Sequence, residues 1–442
     1  MMSGASLLRL LLYVTVFSIP VWPGYAVVKL GSLPGLSPTR IFLATLLIGT
    51  LTTWFLSPYT FTRSFNLYRK NNAIFAVFAG FFIWKTVSSL TVDPSLPVMM
   101  SVLHDVVYDL TMFLAATTLL RTEAHINTLF SVILLATLAV VVVVFAEIMA
   151  GHNLFSAYAA DPEVAVRLVT GETRSGHARV FGTFANPLAL AAYMCFAIPI
   201  MLNIIFKGRN LMSLFLAAFT MAGALVALYN TDSRGGLVVL ALTLALLTFL
   251  VLRSWLRRIQ RSKRAAALAL SLFVIAAIGF TVAQFVFVNT QGTTTAKSRS
   301  SDERATQIAE GTPLIESNPL LGYGAGRAVT ALNSPANTVD NYYLTLALES
   351  GLPGLLLFVT LEILLLTKGM KLIKRQWSGR TLSVYVVLSI VGNVVFMFVL
   401  SLTQVVPLLF LFYGLVIVLG EMHRVETTTV CTRRDIAPMV SP

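Results

Sequence analysis

Charged residues are scarce in this chain. Asp, Glu, Lys and Arg make up 12% of its 442 residues, about half the roughly 25% of a soluble protein. That shortage argues against a soluble globular fold. Cysteine is scarcer still. Cys195 falls in an apolar run and Cys431 in a polar tail. No CxxC or Cys/His cluster accompanies either one, so the sequence supports neither a disulfide framework nor a zinc site. Acids are the rarer charge, 19 against 32 bases, which leaves a net charge of +13. In a soluble protein that excess would raise the question of nucleic acid. Here the bases gather in short connections between apolar runs, as the positive-inside rule describes, and no nucleic-acid partner is expected.

Hydrophobicity is what the chain has in abundance. Apolar residues form 57% of it, and the mean hydropathy is +0.81. Runs of about 18 apolar residues or more recur along its whole length, the signature of membrane-spanning helices. The expected fold is all-α: a polytopic integral membrane protein with about 12 transmembrane helices in a single domain over residues 1–442. The spans fall near 6–22, 39–57, 73–91, 99–119, 127–149, 184–206, 211–230, 235–252, 265–288, 343–366, 382–402 and 405–421. The first of these resembles a signal peptide but lacks a clear small-x-small cleavage site, and reads as an uncleaved span.

Orientation follows from the bases. With both termini inside, every short basic connection lands on one face, including Arg63, Arg69 and Lys70, Arg121, Lys207, and the run from Lys368 to Arg375. Two long connections then lie outside, over 150–183 and 289–342. Long loops in a compact protein are commonly functional. The second opens on a polar, turn-rich "NTQGTTTAKSRSS" and continues into "DERATQIAEGTPLIES", which reads as a short amphipathic helix. "NPLLGYGAG" follows, a Gly/Pro turn suited to close backbone packing.

The outer side carries Arg167, Arg174, Arg179, Arg234, Arg304 and Arg327. A guanidinium matches a phosphate with paired hydrogen bonds and stays charged at any working pH. Arg179 and Arg234 also adjoin apolar helices, where a charge is costly without a partner. A lipid-linked phosphate or diphosphate fits this set. Local pairing is the competing reading: Arg234 with Asp232, and Arg304 with Asp302, Glu303 or Glu310. Asp340 has two readings as well. It is placed to accept a proton from a hydroxyl, or it caps the next helix together with Asn341. Glu349, in "LESGLPG", either enters the bilayer facing protein or sits on a surface helix before the true span. Pro353 and Gly354 mark a bend there. Within the membrane, His104, Asp105 and Asp109 share one region. Asp105 and Asp109, four residues apart, lie on one helix face, with Lys85 as a structural partner for one of them. Intramembrane acids also raise the reading of a transporter.

Three motifs occur in order: "RVFGTFANPLALAAY" (179–193), "NTDSRGGLVVLAL" (230–242) and "NPLLGYGAG…DNYYLTLALESGLPGL" (318–355). The ordered set resembles the O-antigen ligase and polymerase superfamily over about residues 175–365. The resemblance implies a glycosyltransferase at the periplasmic face of a bacterial inner membrane. Its donor is a glycan on undecaprenyl diphosphate, and neither metal nor any other cofactor is expected. It implies diphosphate binding by Arg179, Arg234, Arg304 and Arg327, and catalysis by Asp340 with Arg234 and Arg304. Asn341, Tyr342 and Glu349 would then shape the acceptor site. Ligases of the superfamily commonly have His at the position of Asp340, so the resemblance leans toward the polymerases that join lipid-linked repeat units into a surface or secreted polysaccharide. A flippase and a chain-length regulator would be its partners, with membrane lipid around it. An O-antigen ligase or an O-linked oligosaccharyltransferase remains the alternative.

Overall fold

The computed structural model describes residues 4–28, 35–171, 173–174, 177–208, 210–258, 295–333, 338–376, 382–401 and 404–436. Among them, ten helices are long and apolar enough to cross a membrane. Leu382–Phe396 is a shorter apolar helix. The chain is a multi-pass, all-α membrane protein. The span expected over 265–288 lies outside the described residues.

Helix starts are set by local chemistry. Ser37, Thr122, Asn186 and Asn210 each accept a backbone N–H of the following turn, satisfying a donor that has no partner within its own helix. Pro38 and Pro187 follow two of these caps, where a missing N–H costs nothing. Glu123–Ala150 ends on Gly151 at φ 73° and Pro187–Lys207 on Gly208 at φ 51°, the left-handed stop that glycine adopts without strain.

Burial separates centre from periphery. Pro187–Lys207 and Val406–Arg424 have 78% of their apolar windows buried inside the protein, against 17% for Pro38–Leu56. The first two therefore form the middle of the bundle and the last faces lipid. Aromatic rings fill the space between Asn72–Val92 and its neighbours. Phe78 stacks on Phe113 with centroids 3.9 Å apart, and Phe410 lies edge-on to Phe78, a preferred aromatic geometry.

Four features that bear on the site differ from the sequence reading. The helix expected from residue 302 begins at Thr295 and runs to Ser317, so much of the polar front of that loop is helical. The span expected over 382–402 stops at Phe396 and continues as a turn, because 397–401 pairs with other chain segments. The helix Leu96–Leu119 contains a π turn over Val106–Leu110, which interrupts the regular spacing between Asp105 and Asp109. Finally, the bend in Tyr342–Gln376 falls at Gly351, with φ 68° and ψ −177°, and Pro353 and Gly354 come after it.

Candidate functional site

The first two motifs meet at the ends of their helices. Val180 N–H donates to Asn230 O at 3.2 Å, and Arg179 Nε donates to Thr231 O at 2.8 Å. The chain around them is anchored from below. The Glu147 carboxylate accepts the backbone N–H groups of Phe181 at 3.0 Å and Gly182 at 2.5 Å. Asn153 Nδ2 donates to Gly182 O at 2.9 Å, and Tyr25 donates to Asn153 Oδ1 at 3.2 Å. Arg179 thus borders a cavity of about 210 Å³ that it shares with His152, Asn153 and Asn230. Ser233 Oγ accepts Gly236 N–H at 3.0 Å and so caps the helix on which Arg234 is the first residue. A Cβ on Gly235 would stand 2.9 Å from Val399, so this helix start is pressed onto the 397–401 turn.

That turn leads to the third motif. Tyr342 N–H donates to Met397 O at 2.8 Å, and Ser401 Oγ donates to Val339 O at 2.7 Å. Thr345 Oγ1 and Ser401 Oγ lie 2.7 Å apart. One turn therefore touches both the helix carrying Arg234 and the backbone flanking Asp340.

Asp340 is fixed from the opposite side by the helix Thr295–Ser317. Gln307 brackets the approach: its Nε2 donates to Thr338 O at 3.0 Å and its Oε1 accepts Asp340 N–H at 2.9 Å. Arg304, one turn earlier on that helix, places Nε 3.7 Å from Asp340 Oδ2. The distance is an ion pair, too long for a direct hydrogen bond. Both side chains are partly accessible, 31% and 18%, although Arg304 Nε itself is buried. Asn341 supplies the helix cap: its Oδ1 accepts the N–H groups of Tyr343 at 3.0 Å and Leu344 at 3.1 Å. Asp340 is left to face Arg304.

The other candidate residues make contacts of their own. Arg327 donates Nε and an Nη to Asp93 Oδ2 at 3.0 and 2.6 Å, and the same Nη to Ser95. Glu349 is buried, and its Oε1 accepts Gly326 N–H at 2.9 Å while Oε2 lies 3.2 Å from Lys85 Nζ. Lys85 also pairs with Asp105 Oδ2 at 2.7 Å. Asp109, buried on the next turn, lies within electrostatic range of both. Tyr342 is buried against Phe358 with centroids 5.5 Å apart. Glu349 and Tyr342 are therefore both buried within the bundle. Arg174 lies on a two-residue strand paired with His177–Ala178.

Two groups escaped the sequence reading. Gln307 sits three residues after Arg304 on one helix face, and that spacing was the available signal. Glu362, within an apolar run, accepts hydrogen bonds from Tyr343 at 3.1 Å and Tyr413 at 3.2 Å. As an intramembrane acid it met the same criterion as Asp105.

The Asp93–Arg327 pair predicts a pH dependence. Hydrogen bonds from Ser95, then from Arg327, hold the Asp93 carboxyl below its ordinary value near 3.8. Its stabilising contribution is present above that value and is lost as pH falls through it toward the lower folded one. The thermal midpoint of the protein should exceed that of Arg327→Met at pH 6, and the gap should shrink at pH 3. An equal gap at both values would contradict the pairing.

Residues 216–359 match a family described as O-antigen ligase. The matched stretch includes Arg234, Arg304, Arg327, Asp340, Asn341, Tyr342 and Glu349, while Arg179 lies before it. A comparison with curated proteins gave no match.

Proposed function

We propose that this chain, whose residues 216–359 match a family described as O-antigen ligase, is a polymerase of the O-antigen ligase and polymerase superfamily. It joins oligosaccharide repeat units carried on undecaprenyl diphosphate into a surface or secreted polysaccharide, on the periplasmic side of the inner membrane. The carrying observation is the Arg304–Asp340 pair, with Asn341 capping the helix in Asp340's place. An acid that faces a guanidinium and does not cap the helix is placed to act on a substrate.

In this reading Asp340 takes the proton of the acceptor hydroxyl as its oxygen attacks the anomeric carbon. The bond from that carbon to the diphosphate oxygen breaks, and the leaving diphosphate collects negative charge. Arg304 stabilises that charge, helped by Arg234 and Arg179 from the two motifs whose helix ends meet. The donor's phosphates would compete with Asp340 for Arg304, so donor binding loosens the ion pair and frees the carboxylate. The helix Thr295–Ser317 lies over Asp340 and limits water. Arg327, engaged by Asp93, would hold the loop that frames the site.

A ligase reading draws on the description of the matched family. The two readings differ in product. Loss of a polymerase leaves single repeat units, whereas loss of a ligase leaves long chains on the lipid carrier. Asp340→Asn and Arg304→Ala, introduced into a deletion strain, should each cut polymer formation by about a hundredfold or more, the scale of losing an acid–base group for the first and a charge-stabilising donor for the second, at unchanged protein level. Long polymer from both variants would sink the assignment.

A further inference from the structure

The face with the short basic connections contains a cavity of about 680 Å³ that no part of the outer chemistry uses. It lies between the helix Pro58–Lys70 and the bundle. Its lining includes Tyr59, Arg63, Lys70, Arg121, Glu123 and Glu421. We propose that this cavity binds the phosphate headgroup of an anionic glycerophospholipid from the adjoining leaflet.

The charges favour an anion. Lys70 and Glu421 are ion-paired, which removes one charge of each sign. Arg63 and Arg121 remain against Glu123, and among the described residues neither arginine makes an ion pair with a carboxylate. Arg121 is oriented by its Nε bond to Thr118 O at 2.9 Å. Burial, then the neighbouring Arg63, works against its charge, and Arg9 adds to that repulsion. Arg9 is itself held against His125 Nε2 at 2.5 Å. Three guanidiniums gathered at one membrane boundary are relieved by a phosphate, whose oxygens accept several charge-assisted hydrogen bonds.

Hydrophobicity selects a lipid over a soluble anion. The helix Pro58–Lys70 is amphipathic and exposes Tyr59, Phe61 and Phe65, and the preceding span ends in exposed Phe55 and Leu56. Phe61 and Phe65 stack at 6.1 Å. This apolar shoulder adjoins the cationic cavity, as an interfacial helix does when it lies at the headgroup boundary. Acyl chains would lie along the shoulder with the phosphate turned inward, the arrangement expected of basic pockets between membrane helices.

The test uses the purified full chain in neutral detergent. Binding of dioleoyl phosphatidylglycerol is read from the rise in thermal midpoint on titration, beside dioleoyl phosphatidylcholine and inorganic phosphate. Phosphatidylglycerol should stabilise the protein and the other two should not. Arg63→Gln and Arg121→Gln should each weaken it about tenfold, the loss of a charge-assisted hydrogen bond. Arg69→Gln, on the same helix but outside the cavity lining, should leave it unchanged. Arg63 is exposed, so its variant decides the matter even where Arg121→Gln fails to fold. Unchanged phosphatidylglycerol binding in Arg63→Gln would overturn the proposal. So would an equal loss in Arg69→Gln, which would indicate diffuse surface charge. Equal stabilisation by inorganic phosphate would replace the lipid with a soluble anion.

Discussion

Gly351→Ala is expected to destabilise the protein by about 3 kcal/mol or more, from backbone strain with a steric clash added. At φ 68° and ψ −177° the residue occupies a region that only glycine enters freely. A Cβ there would also stand 2.1 Å from Leu320 O and 2.8 Å from Pro319 O, and backbone cannot yield as a side-chain tip does. The close approach is built from hydrogen bonds. Tyr323 N–H donates to Leu348 O at 2.7 Å, Gly324 N–H to Glu349 O at 2.9 Å, and Leu352 N–H to Pro319 O at 2.8 Å. Trp84 Nε1 donates to Ser350 O at 2.9 Å. The break in the helix frees the carbonyls of 348–350; the loop over 318–326 satisfies those of Leu348 and Glu349, and Trp84 that of Ser350. Pushing the loop away leaves buried polar groups unpaired, each costing about 1–3 kcal/mol. Thermal denaturation in detergent measures the loss, with Gly80→Ala as the control, since a Cβ there meets only Leu357 at 3.7 Å. A Gly351→Ala protein as stable as the parent would refute this account of the bend.

Lys85→Met should cost about 3–5 kcal/mol, the scale of breaking a buried ion pair. Lys85 is buried between Asp105 and Glu349, and its loss strands both carboxylates. The neutral triple variant Lys85→Met, Asp105→Asn, Glu349→Gln should recover much of the loss, because replacing a whole buried ionic group is far less harmful than removing one member. The same series bears on the transporter reading. Charges that bind one another and clasp the Gly326 amide hold a loop in place, so polymer yield should follow protein level across the series. Normal protein level with abolished polymer in Asp105→Asn would instead make that acid functional.

Much of the fold was legible because the bilayer sets a length that apolar runs must meet. Arg304 and Asp340 were assigned to one site only through the family resemblance, and the structure sets them 3.7 Å apart. What was hidden depends on contacts between distant segments. Asp340 and Asn341 are both good caps by residue type, and only the phase of the following helix selects Asn341. The bend sits at Gly351 because Pro319 and Leu320 press on it, and they lie some thirty residues earlier in the chain. The turn after Phe396 reads as continued helix, yet its backbone is drawn away to Tyr342. Gln307's two bonds to the Asp340 approach require the fold to bring 307 and 338–340 together.

The break at Gly351 also divides one long peptide dipole into two. The segment 342–350 becomes an independent short dipole whose ends are fixed by chain direction. Its positive end starts at Asn341, beside Asp340, and its negative end falls at Glu349 and Ser350, next to Lys85. A helix terminus carries about half a unit charge, felt within roughly one turn. An unbroken helix would have placed its negative end far away, at the opposite membrane face. The bend instead brings that end close to the buried lysine and leaves the positive end beside Asp340.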